Sequence, residues 1–96
     1  MLQLRTYTLK PDTLSQWIEI WRDQIKPIRE SLGFTVPGAW AVPEKNQFIW
    51  LMQYSGPEEW ATQDAAFHES PARQAMDPDP APLIVSIETC FLDPVL

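Results

Sequence analysis

Gln47-Phe48-Ile49-Trp50-Leu51-Met52-Gln53-Tyr54 alternates between two sets of side chains, and both sets are apolar. Phe48, Trp50, Met52 and Tyr54 fall on one side, Ile49 and Leu51 on the other, because successive residues of a strand point to opposite faces. A strand apolar on both faces is covered on both faces. One layer of helices accounts for one cover. The second must come from elsewhere, so this segment decides both the layering of the fold and the expectation of a partner.

Working outward, residues 2–9 (LQLRTYTL) also alternate, with Leu2, Leu4, Thr6 and Thr8 opposed to Gln3, Arg5, Tyr7 and Leu9; Lys10-Pro11 closes this strand. Over residues 13–32 the period changes. Leu14, Trp17, Ile18, Trp21, Ile25, Ile28 and Leu32 mark one stripe of a helix, with Thr13 and Gln16 as a capping box and Gly33 as the stop. Pro27 removes a backbone bond and crowds the carbonyl of Asp23, which predicts a kink. Residues 34–42 form a strand that holds Pro37-Gly38, so it is an edge strand or carries a bulge. Residues 43–46 are the hairpin loop before 47–54. Ser55-Gly56-Pro57-Glu58 reads as a second capped helix start, running to about Glu69. Ser70-Pro71 starts a short helix through Met76, the prolines after Asp77 impose extended backbone, and residues 83–92 form the last strand.

The order is β-α-β-β-α-β in a single domain over residues 1–96, an α+β, ferredoxin-like fold with an antiparallel four-stranded sheet and both helices on one face. The helices are expected on Leu2, Leu4, Ile49, Leu51, Leu83, Val85 and Ile87. That leaves Arg5, Tyr7, Phe48, Trp50, Met52 and Tyr54 on the other face, joined by Ile84, Ser86, Glu88 and Cys90, with Val36 and Trp40 from the second strand. Large apolar side chains left in water are a liability, and monomers rarely expose broad apolar patches. A second copy of the chain, sheet to sheet, removes it. Ninety-six residues also make a thin core, for which association is a common remedy.

The totals narrow the function classes. The net charge is −6, and the seven Lys and Arg are scattered, which argues against nucleic acid and anionic membrane as partners. One cysteine, Cys90, makes no internal disulfide, and it reads as a small core hydrophobe. The first residues show no secretory pattern, and no apolar run is long enough to span a bilayer, so the expected location is cytoplasmic.

Gln3-Leu4-Arg5-Thr6-Tyr7 with Leu9-Lys10-Pro11, Val36-Pro37-Gly38-Ala39-Trp40, and Trp50-Leu51-Met52-Gln53-Tyr54-Ser55-Gly56 together resemble the NIPSNAP family across nearly the whole chain. The resemblance implies a dimeric α/β barrel in which two ferredoxin-like protomers enclose a cavity between their sheets. Some barrels of this kind look like monooxygenases or isomerases that use no cofactor. The chain departs from the family pattern at Gln3, where Glu is usual. That removes a carboxylate beside Arg5 and leaves Glu88 as the candidate to replace it.

Arg5 and Tyr7 are the sharpest candidate pair. Arg5 can hold a carboxylate or enolate, and Tyr7 can donate to a developing oxyanion. Alternatively, Arg5 pairs with Glu88 across neighbouring strands and only satisfies the sheet. His68, the sole histidine, is a candidate acid, base or axial ligand, or else a helix-end surface group. Trp40, Trp50 and Tyr54 either line the cavity as ligand walls or fill it. One His and one Cys in separate elements make no metal cluster, and no phosphate-binding loop or nucleophile motif is present. The expected function is therefore a homodimer that binds or transforms a small apolar or aromatic molecule without a cofactor. The alternative is a non-catalytic binding or scaffold dimer with a packed interior.

Overall fold

In the computed structural model, which describes all 96 residues, β1 (Leu2–Leu9) leads into a helix in three parts: α1 (Leu14–Ile20), a π turn (Trp21–Ile25) and α2 (Lys26–Ser31). Next come β2 (Thr35–Val42), a 3-10 turn (Pro43–Lys45), β3 (Gln47–Gln53), α3 (Trp60–Glu69), the short α4 (Pro71–Gln74), a 3-10 turn (Ala81–Leu83) and β4 (Ile84–Leu92). The strands form one sheet in the order β2-β3-β1-β4, with every neighbouring pair antiparallel. This is the α+β, ferredoxin-like arrangement that the element order predicts. β2 is both an edge strand and irregular, with its register slipping between Thr35 and Gly38, where Pro37 interrupts the ladder.

Pro27 acts through a π turn. Lys26 N–H donates to Trp21 O, five residues back, so the helix widens just before the residue that has no N–H to offer. The stripe continues through it, with Trp17, Trp21 and Ile25 all buried. α2 ends in a complete Schellman motif: Phe34 N–H donates to Arg29 O at 3.2 Å and Gly33 N–H to Glu30 O at 3.0 Å. Gly33 has φ +91, which a side chain would resist. Neither expected capping box forms. Thr13 Oγ1 donates to Lys10 O at 2.7 Å instead of accepting from the helix, and α3 starts at Trp60, so Ser55 and Glu58 lie ahead of it. Glu58 N–H is taken by the Tyr54 hydroxyl at 3.3 Å. Residues 77–80 bend rather than run extended, and the 3-10 turn Ala81–Leu83 feeds β4.

On β1 and β3 the two faces of the sheet are exchanged relative to the sequence reading, whereas on β4 Ile87 keeps the helix side and Ser86, Glu88 and Cys90 the side away from it, as expected. Gln3, Arg5, Tyr7 and Leu9 lie beneath the helices, together with Phe48, Trp50 and Met52. Trp50 is 0% exposed and meets Trp21 edge-on at 5.5 Å, while Trp17 packs against Tyr7 at 5.3 Å and Phe48 at 6.3 Å. Burying each such ring is worth about 1.5–3 kcal/mol, so the bulkiest set goes to the face where the helices bring three more large side chains. Leu2, Leu4, Thr6, Ile49 and Leu51 take the opposite face, which no element of this chain covers. On β4, a register shift between Thr8 and Leu9 brings Ile84 opposite Leu9 and turns Val85 outward, reversing the expected roles of those two residues. Ile87, Thr89 and Phe91 follow on the helix side. Ser86, Glu88 and Cys90 follow on the open side, so Cys90 is exposed rather than a core residue.

Candidate functional site

The exchange of faces moves Arg5 and Tyr7 from a space between two sheets to a cavity inside one protomer. The cavity has a volume of about 170 Å³ and lies between the β1–β4 side of the sheet and the α2, α3 and α4 segments. Its apolar wall is Trp17, Ile25, Phe67, Ile84 and Ile87, and its polar groups are Arg5, Tyr7, Arg29, His68 and Arg73.

Arg5 sits at the second inward-facing position from the strand's start and is 6% exposed. Its Nη1 donates to Gln3 Oε1 at 2.7 Å and its Nε to the Tyr7 hydroxyl at 3.1 Å. The guanidinium also lies 5.6 Å from the Tyr7 ring and 5.7 Å from the Trp50 ring, so the strand's own neighbours hold the fork in place. Glu88 is not its partner. It stands opposite Thr6 and therefore projects from the other face of the sheet.

Arg29 was not apparent as a site residue. It is 1% exposed, and its carbonyl anchors the Schellman motif described above. Nη1 donates to Asp64 at 2.6 Å, and the guanidinium carbon is 3.8 Å from the centre of the Phe67 ring. With Gln63 Nε2 donating to Leu32 O at 2.6 Å, this pair ties α3 to the end of α2. Burial pushes the Arg29 pKa below its usual value, against the pull of Asp64. A visible signal existed: position 29 continues the four-residue spacing Trp17, Trp21, Ile25, so a charged residue fell on the buried stripe. Asp64 shares one line of α3 with Trp60 and Phe67, at spacings of four and three.

Arg73 reaches Asp79 at 3.0 Å. Asp79 is held below the usual carboxylate range, first by a hydrogen bond from Ala81 N–H and then by Arg73. His68, itself exposed, stands at the rim of the cavity. Partial burial lowers its pKa, and the positive charge of Arg29 lowers it further, so its neutral form is favoured. Of the other predicted ligand residues, Trp50 packs under Arg5 as core. Tyr54 packs against Phe34 at 5.1 Å, away from the cavity, and Trp40 is 54% exposed on the open face. No three His, Cys, Asp or Glu side chains draw together as a metal set. No helix is long and apolar enough to cross a membrane. Two wider hollows, of about 620 and 640 Å³, lie at the Met1 end, but they are more open and gather no guanidinium or imidazole.

Solved structures share this fold. A NIPSNAP domain protein from Burkholderia xenovorans is 22% identical with a TM-score of 0.81, over 97% of this chain and 92% of its own. A NIPSNAP family protein from Agrobacterium tumefaciens is 20% identical with a TM-score of 0.84, over 97% and 90%. An antibiotic biosynthesis monooxygenase is 11% identical with a TM-score of 0.68, over the full length of both chains. At these identities the likeness speaks for fold alone. No curated protein matches the sequence. The NIPSNAP family model matches residues 2–96, and the chain belongs to that family.

Proposed function

We propose that this chain binds a small, largely apolar or aromatic molecule in the cavity of each protomer, and that two protomers associate through the open face of the sheet. The observation that carries the reading is the cavity itself: five apolar side chains converge with polar groups from four elements over a space of about 170 Å³. That is smaller than most drug-sized sites, which span roughly 300–1,000 Å³, yet a cavity of roughly 150 Å³ takes up benzene. The ligand is therefore of single-ring or short-chain size. The family's fold relatives include an antibiotic biosynthesis monooxygenase, and His68 supports a second reading, in which the bound molecule is transformed. It is the one side chain at the rim suited to accept a proton near neutral pH.

Isoleucine methyl spectra of the labelled protein test the binding reading, because Ile25, Ile84 and Ile87 line the cavity while Ile49 lies on the opposite face. Titration with toluene, phenol and benzoate is expected to shift those three methyls. If none of the probes moves them, or if only Ile49 responds, the cavity is not a ligand site.

A further inference from the structure

We infer that the molecule bound in this cavity is a small organic acid, its carboxylate received by Arg5, Tyr7 and Arg29. The inference rests on the cavity-binding reading and adds the ligand's charge. The cavity wall carries a surplus of donors. Arg5 is buried, and its only protein acceptors, Gln3 Oε1 and the Tyr7 hydroxyl, are both neutral. Tyr7 is the acceptor in its bond with Arg5, so its own hydroxyl proton is left to donate. Arg29 has given Nη1 to Asp64, but its buried Nε has no acceptor, and neither does the buried Nε1 of Trp17. Both residues line the cavity.

The charges show the same imbalance. Asp64 is engaged with Arg29 and Asp79 with Arg73, so no carboxylate is left for Arg5. Buried charges are ordinarily paired, and buried donors ordinarily satisfied. A carboxylate corrects both deficits at once. It brings one negative charge and about four acceptor positions in the plane that a guanidinium fork matches. The remaining wall, with Ile25, Phe67, Ile84 and Ile87, suits a hydrocarbon ring or short chain attached to that carboxylate rather than a bare inorganic anion.

Benzoate and benzamide have nearly the same shape and differ in charge. Titrated into the full chain at neutral pH and followed by the Ile84 and Ile87 methyls, benzoate is expected to bind at least about tenfold more tightly than benzamide. Arg5→Gln is expected to remove that preference, bringing benzoate down to about the affinity of benzamide. Should Arg5→Gln fail to fold, Tyr7→Phe serves in its place, with a several-fold loss for benzoate alone. Equal or tighter binding of benzamide by the wild-type chain overturns the inference and leaves the cavity reading standing. A preference for benzoate that survives both substitutions also overturns it. No response to benzoate, benzamide or toluene overturns both.

Discussion

Arg5 and Gln3, two apart on β1, are joined by a 2.7 Å hydrogen bond from Nη1 to Oε1 beneath the helix layer. The guanidinium is thus held by a neutral amide. A glutamine fixes the fork without cancelling its charge. Gln3→Glu supplies the missing carboxylate and competes with any acidic ligand. Because hydrogen bonds to charged groups contribute about 1.5–3 kcal/mol and a buried carboxylate loses much of that to desolvation, the expected net stabilisation is about 1 kcal/mol at neutral pH. Benzoate affinity should fall at least about tenfold, in line with the lost charge complementarity. Urea midpoints and the methyl titration check the two effects. Undiminished benzoate binding would mean that Arg5 is not the group reading the acid.

The Arg29–Asp64 pair is lopsided: its side chains are 1% and 30% exposed. Removing one partner is therefore not equivalent to removing the other. Asp64→Ala strands a fully buried cation, and the expected cost is about 2–4 kcal/mol, discounted from the range for a wholly buried pair because Asp64 reaches water. Arg29→Met keeps an apolar stem against Phe67 and leaves a carboxylate that can hydrate, for about 1–2 kcal/mol. Urea denaturation of the two variants should place Asp64→Ala below Arg29→Met. The reverse order would indicate that the stacking of Arg29 on Phe67, rather than the ion pair, dominates.

The element order, the stripe on the first helix and the edge position of β2 were all legible, because period and turn residues report local geometry directly. The facing of β1 and β3 was not. Alternation sorts β3 into Phe48/Trp50/Met52 and Ile49/Leu51, but it carries no sign, and an exchange of faces reverses every side chain at once. The polar character of Arg5 suggested the outer face. In fact Gln3 and Tyr7 hold it by hydrogen bonds on the inner one. Thr6, Thr8 and Glu88, all on the other face, were the better indicators of the side away from the helices. The site followed the same logic: Arg5, Tyr7 and His68 were legible as chemistry-bearing types. Arg29 was marked only by its place on the buried stripe, and its role depends on Asp64, 35 residues away.

Leu51 stands near the middle of the uncovered face, opposite Leu4 on β1 and Gly38 on β2. Under the dimer reading, this row lies between two sheets. Wild-type chain should sediment as a dimer at micromolar concentration, and Leu51→Lys should sediment as a folded monomer. Its circular dichroism should be unchanged, because the substitution touches no helix-side contact. A wild-type monomer under these conditions, or a Leu51→Lys dimer, removes the support for a sheet-to-sheet partner. The cavity, which one protomer completes alone, is unaffected by that result.

His68 gives the cavity a pH signature whose direction follows from its neighbours. Burial first, then the charge of Arg29, lowers its pKa below 6.5, with Arg73 and Arg5 acting in the same sense and Asp64 against them. A histidine with a depressed folded-state pKa takes up its proton more readily when unfolded. Its contribution to stability is therefore complete above 6.5 and lost as the pH falls from there to the folded value. His68→Gln should flatten the stability profile in that window and leave the more acidic part, where Asp79 titrates below its usual 3.8, unchanged. A bound carboxylate offsets the positive field of Arg5 and Arg29, so benzoate should raise the His68 pKa. Following the imidazole carbon resonance against pH, with and without benzoate, measures this directly. A His68 pKa that does not respond to saturating benzoate would place the acid outside the reach of these arginines.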